Sequence, residues 1–220
     1  MRHFDEVFEI AADRHGGTAA LEQKLSKPKS LDELAAISDD RWLSIITKTI
    51  FQAGFNWKVI ENKWDGFEVA FDGFDVGRCA FMDDEKFDAL LQDTRIVRNG
   101  TKIAAVRDNA AFLLELREEG GAGRVLGGWP STDYVGLLAM LGKRGSRLGG
   151  TSAQYAMRFA GRDSFILSQD VTARLIAEGV VDKAPTSKKA MAAVQDAFNT
   201  WMDQSARSLT EISRVLAMSV

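Results

Sequence analysis

The residues best suited to chemistry gather in one basic turn. The stretch LLAMLGKRGSRLGGTSAQYAMRFAG reads as a helix, a turn carrying Lys143, Arg144, Gly145 and Arg147, and a second helix starting near Gly149, Gly150 and Thr151. The first N–H groups of any helix have no partner inside it and its dipole is positive there, so such a turn can cradle a phosphate with few side chains. The three basic side chains add charge where an anion would sit. The same residues equally suit a tight helix–helix connection in which glycine permits close packing. Nineteen residues beyond Thr151, Asp170 in FILSQDVTARL offers a carboxylate. A fixed carboxylate can stabilise a developing cation or help a water attack it. It can also cap or enter a helix over 171–177, as Ser168 can, or pair with Arg174 four residues on.

What is missing narrows the chemistry. The 220 residues are 45% hydrophobic and 27% charged, enough for one sizeable core or two small ones. Lys and Arg number 28 against 31 Asp and Glu, so a nucleic-acid role must rest on a local basic surface. One cysteine, Cys79, excludes an intramolecular disulfide, a four-cysteine cluster and a zinc finger, and fits a reducing cytoplasm. His3 and His15, with no HExxH, leave little for a catalytic zinc. No apolar run reaches the roughly 20 residues of a membrane span, and the N-terminal MRHFDEVFEIAADR carries acids where a signal peptide needs an apolar core. The expectation is a cytoplasmic, unprocessed chain.

The elements that must position these residues are helices. Three prolines interrupt the chain, and apolar residues recur at three- and four-residue intervals almost throughout. Gly16 and Gly17 end a first helix with Thr18 capping the next, Ser30 opens a capping box, and Ser38, Asp83, Asn99 and Ser187 precede further helices. Residues 119–131, EGGAGRVLGGWPS, form the one long loop-like stretch, either a connector or a binding loop that shows Trp129. Trp42, Trp64 and Trp201 fall on core stripes. Arg95, Arg98 and Lys102 either reach phosphate or are solvated.

The segment from Thr49 to Lys102 and just beyond adds a specific pattern. Its elements FQAGFNW, KWxxF, AFxGFD and RIVRNxxKIxA resemble 3-methyladenine DNA glycosylase I, and the turn from Lys143 to Tyr155 resembles the hairpin of the same family. The resemblance implies an all-α helix–hairpin–helix glycosylase fold with two helical lobes flanking a cleft. It implies one compact unit over 1–220, with a core over 38–180, the hairpin at about 134–160, and segments 1–37 and 181–220 packing together as the second lobe. It further implies a DNA-binding turn of Lys143, Arg144, Gly145, Arg147, Gly149, Gly150 and Thr151. Trp57 falls where the family has a pocket tryptophan, and Gln52 belongs to the same motif. Related hairpin glycosylases place an aspartate some 18 to 20 residues beyond the hairpin, which makes Asp170 the candidate catalytic residue.

Departures matter as much. The family's pocket glutamate is replaced by Thr49, its zinc ligands have no counterpart, and the lysine of strand-cleaving relatives is replaced by Thr151 or Ser152. The implied function is hydrolysis of the N-glycosidic bond of an alkylated purine in damaged double-stranded DNA, without strand cleavage and without a cofactor, by a monomer. The alternative is an inactive module that binds DNA structure on the same scaffold.

Overall fold

The computed structural model describes all residues, 1–220, and every element in it is helical. In chain order these are α1 (Phe4–Arg14), α2 (Thr18–Glu22), α3 (Leu31–Ala35), α4 (Asp39–Gln52) and α5 (Trp57–Asn62). Next come α6 (Trp64–Ala70), α7 (Val76–Ala80), α8 (Asp84–Gln92), α9 (Gly100–Glu118) and α10 (Ala122–Gly127). The chain ends with α11 (Tyr134–Arg144), α12 (Thr151–Ala160), α13 (Gln169–Ala177), α14 (Lys188–Ser205) and α15 (Leu209–Met218). No helix is long and apolar enough to cross a membrane.

Local chemistry sets most boundaries as the sequence predicts. Ser30 makes a reciprocal capping box with Glu33, while Asp83, Asn99 and Ser187 each accept a bond from the N–H three residues on. Thr18 is the first residue of α2 and not its cap; Gly17, at φ +94°, takes that place because the chain turns there through the left-handed region. The glycine-rich stretch 119–131 also differs from expectation. It contains α10, and its glycines serve packing: a Cβ at Gly123 would lie 2.6 Å from the Leu34 carbonyl oxygen, and one at Gly127 would lie 2.7 Å from the Leu34 Cβ. Trp129 is half-buried.

The contacts divide the chain into two units. One comprises Met1–Lys29, Pro130–Gly136 and Gly161–Val220; the other comprises Ser30–Trp129 and Leu137–Ala160. The core expected over 38–180 is therefore divided differently. Residues 30–37 join it because α3 packs under α10. Residues 161–180 join the termini because Arg174 of α13 bonds Ser219 Oγ at 2.7 Å and Glu178 at 3.3 Å, and Glu178 in turn holds the Arg2 guanidinium at 2.6 Å.

Within the second unit α4 is the central helix. Trp42, Leu43, Ile46, Ile50 and Phe51 are buried against α9 and α12. Trp64 is half-buried and stacks on Phe67 and Phe74, while Trp42 and Trp201 are fully buried, so the three tryptophans on helical stripes do belong to cores. Cys79 is buried with its thiol toward the Phe71 carbonyl, and burial pushes its pKa up to about 12, which leaves it inert as a nucleophile.

Candidate functional site

The site begins where α4 stops. Gly54, at φ +69°, turns the chain after Ala53, and the Asn56 side chain accepts from the Lys58 N–H to start α5. The turn is exposed, and a cavity of about 760 Å³ opens beside it. Thr49 and Gln52 from α4, Trp57 and Val59 from α5, and Thr151, Ser152 and Tyr155 from α12 line it together with the turn. The structure thus brings the three predicted pocket residues to one cavity, and adds the start of the hairpin's second helix to its wall.

Trp57 is 39% exposed and meets Tyr155 and Phe159 nearly at right angles, with centroids 5.2 and 5.9 Å apart. Neither ring lies parallel against it, so its faces are not consumed by stacking within the chain. Thr49 is buried, and its hydroxyl donates to the Ile46 carbonyl at 2.8 Å and also approaches that of Ile45. With its proton used by the helix, Thr49 presents only lone pairs. Gln52 is also buried, and its Oε1 has no hydrogen-bond partner. No charged side chain lines the cavity, so it has no built-in counter-ion for a cationic ligand.

Beneath the turn lies Lys102, 6% exposed, near the start of α9. Its ammonium donates to the Ala53 carbonyl at 2.8 Å and the Phe51 carbonyl at 3.1 Å. Desolvation, and then the positive charge of Arg147, lower its pKa from the ordinary lysine value. Lys102 is thus not one of the basic residues reaching for phosphate. Of the other two, Arg95 pairs with Asp93 at 2.7 Å and Arg98 is exposed.

The hairpin turn spans the end of α11 and the start of α12. Asn109, fully buried in α9, clamps it: its Nδ2 donates to the Ser146 carbonyl and its Oδ1 accepts from the Ser146 N–H, both at 2.9 Å. Gly145 is required by the tightness of the turn, because a Cβ there would lie 2.6 Å from Leu148 Cδ1 and 2.8 Å from the Leu141 carbonyl oxygen. Gly150, at φ +58°, is required by backbone conformation, and the space beside Gly149 is open. Arg144 lies between Glu119 at 2.7 Å and Glu115 at 3.3 Å, over the Phe112 ring, so its charge is already balanced. Lys143 and Arg147 are exposed and make no ion pair. Arg147 sits at φ +58°, a conformation that costs a non-glycine residue about 1–2 kcal/mol. The first N–H groups of α12, which follows this turn, have no partner within the helix.

Asp170 stands in the first turn of α13, exposed, with Ser168 as the cap whose Oγ accepts from the Val171 N–H. The expected pair with Arg174 does not form, because Arg174 turns to Glu178 and Ser219. Asp170 belongs to the unit that contains the termini, whereas the cavity and the hairpin turn lie in the other. Sequence reading missed Asn109 and the task of Lys102. The available signal was a polar residue recurring seven positions after Lys102 on the apolar face of one long helix.

Residues 35–125 match the methyladenine glycosylase family. Over 69 residues the chain is 33% identical to DNA-3-methyladenine glycosylase 1 of Escherichia coli, a stretch covering 31% of this chain and 37% of that protein. The match therefore spans little more than a third of that curated relative. The fold is similar to a crystal structure of 3-methyladenine DNA glycosylase I at TM-score 0.50 and 24% identity, covering 65% of this chain and 86% of that one. It is also similar to the Staphylococcus aureus 3-methyladenine DNA glycosylase I whose structure describes 3-methyladenine recognition, at TM-score 0.51 and 18% identity, covering 70% and 91%. The matched residues include Thr49, Gln52, Trp57 and Lys102, while the hairpin and Asp170 lie outside them.

Proposed function

From the match of residues 35–125 to the methyladenine glycosylase family, we propose that this chain is a DNA glycosylase that hydrolyses the N-glycosidic bond of 3-methyladenine-like alkylated purines. The observation that carries this reading is the cavity itself: the family's tryptophan, Trp57, and the start of the hairpin's second helix share one wall of a space large enough for an extruded purine. Double-stranded DNA would be held at the hairpin by the α12 amides, Lys143 and Arg147, with Arg144 already balanced by its glutamates.

The lesion supplies much of the driving force. An alkylated, cationic purine is a good leaving group, so a cavity without a charged residue can still be selective through the weakness of the bond it admits. As the base leaves, positive charge builds on the sugar, and we assign the Asp170 carboxylate to its stabilisation. Its support is a side chain that is exposed and spared by Arg174. Thr151 and Ser152 occupy the cavity wall and have no amine to attack the sugar, so water is the nucleophile and the strand stays intact. We propose no cofactor and a monomeric, cytoplasmic protein.

Release of 3-methyladenine from alkylated duplex DNA by the purified chain tests the function. Affinity for abasic-site DNA with no base release would favour the inactive DNA-binding alternative. Borohydride trapping of a covalent protein–DNA adduct would contradict hydrolysis by water.

A further inference from the structure

Lys102 is a buried cation with no carboxylate against it. Its ammonium is bonded by the Phe51 and Ala53 carbonyls, the two that flank Gln52. Phe51 lies in the last turn of α4 and Ala53 is its C-cap, where carbonyls lack partners within the helix and the dipole is negative, so a cation is favoured there. An apolar side chain of similar length would fill the same space without the cost of burying a charge beside Arg147. What only the ammonium supplies is two directed bonds on either side of Gln52. Those bonds tie the end of α4 and the start of the turn with Gly54, at the rim of the cavity, to α9.

We propose that Lys102 is a positioning residue of the base cavity: it holds the 53–56 turn and the Gln52 amide where an extruded base meets them, and takes no part in binding the DNA backbone. Gln52 fits this account, because its buried Oε1 lacks a partner in the chain and must be held in place to accept one from a ligand. The ligand's identity rests on the glycosylase reading above; the positioning of the turn does not.

The test pairs amide hydrogen exchange of the full chain, without DNA, with single-turnover base release. In Lys102→Met, exchange of the Ala53 and Phe55 N–H groups, which bond the Thr49 and Gln52 carbonyls, should accelerate on the order of tenfold while the rest of α4 and α9 stays protected. Release of 3-methyladenine should slow on the order of 100-fold, the effect of a misplaced reacting geometry, with affinity for undamaged duplex unchanged. Lys102→Arg, which retains cationic donors, should recover protection and part of the rate. Wild-type protection of the Ala53 and Phe55 N–H groups in a cooperatively melting Lys102→Met would overturn the proposal, as would protection lost evenly along α4 and α9. Should Lys102→Met fail to fold, Lys102→Gln, with a neutral donor, is read by the same criteria. A wild-type chain that releases no base removes the glycosylase reading and leaves the exchange comparison to decide the role of Lys102.

Discussion

The two units differ in how they treat apolar and polar groups. Of the ten large hydrophobic residues left exposed, seven belong to the cavity-bearing unit, Phe55, Trp57, Val59 and Phe159 clustering at the cavity. The other unit exposes Met1, Ile176 and Val220, two of them chain ends. Its buried charges are instead satisfied: Arg174 and Glu178 bond each other, Arg2 and Ser219. The cavity-bearing unit keeps an unpartnered Gln52 oxygen and a buried Lys102 without a counter-ion. One unit is arranged for stability, whereas the other leaves polar groups buried at a cost to it, Gln52 among them at the cavity wall.

Asp170 is the residue that can break this division, since it lies in the unit arranged for stability. Asp170→Asn should slow release of 3-methyladenine by about 100- to 1000-fold with an unchanged melting temperature, the loss expected when a fixed charge at a transition state is removed. Equal rates in single-turnover assays would confine the chemistry to the cavity-bearing unit.

Glu178 sharpens the other side. Burial pushes its carboxyl up, but bonds from the Arg2 backbone and guanidinium and from Arg174 outweigh burial and hold it below the ordinary carboxylate range. Glu178→Gln should cost about 2–3 kcal/mol at neutral pH by leaving Arg174 poorly paired, with no loss of activity in the folded protein. A carboxylate whose pKa is depressed on folding adds stability above its unfolded pKa and loses it as pH falls through the folded one. The gap between wild type and variant in urea melts should therefore close in acid, as pH falls below the ordinary carboxylate range.

Trp57→Ala should weaken binding of a lesion or its release by about 5- to 150-fold, the range of one base–aromatic stack, and lower stability by less than loss of a core tryptophan would, since only its edge contacts with Tyr155 and Phe159 are given up. The smallest effect belongs to the hairpin. Arg147→Ala should lower duplex affinity evenly across sequences and reduce the salt slope of binding by about 1, whereas Arg144→Ala, whose charge is already balanced, should change it less.

Helix ends were legible because a cap is a local event: the side chain at Ser30, Asp83, Asn99 or Ser187 bonds an N–H within three residues. Glycines were not. Gly123 and Gly127 read as part of a connector or a binding loop, yet each is fixed by Leu34, far back in the chain, which a Cβ would strike. The same limit applies to charges. Arg144, Arg147 and Lys102 are alike in sequence, and their differing tasks depend on Glu115, Glu119 and the end of α4.

The sequence by itself determined the all-helical class, most helix starts and the likeness of residues 35–125 to the methyladenine glycosylase family, because periodicity, caps and motif spacing are short-range properties of the chain. Tertiary structure decided the rest. It set Trp57 beside the start of α12, emptied the cavity wall of charge, turned Arg174 away from Asp170 and buried Lys102 under the turn. Each of these depends on groups tens of residues apart meeting at a few ångströms, and burial then assigns a hydrogen bond or a charge a role that its neighbours in sequence do not reveal.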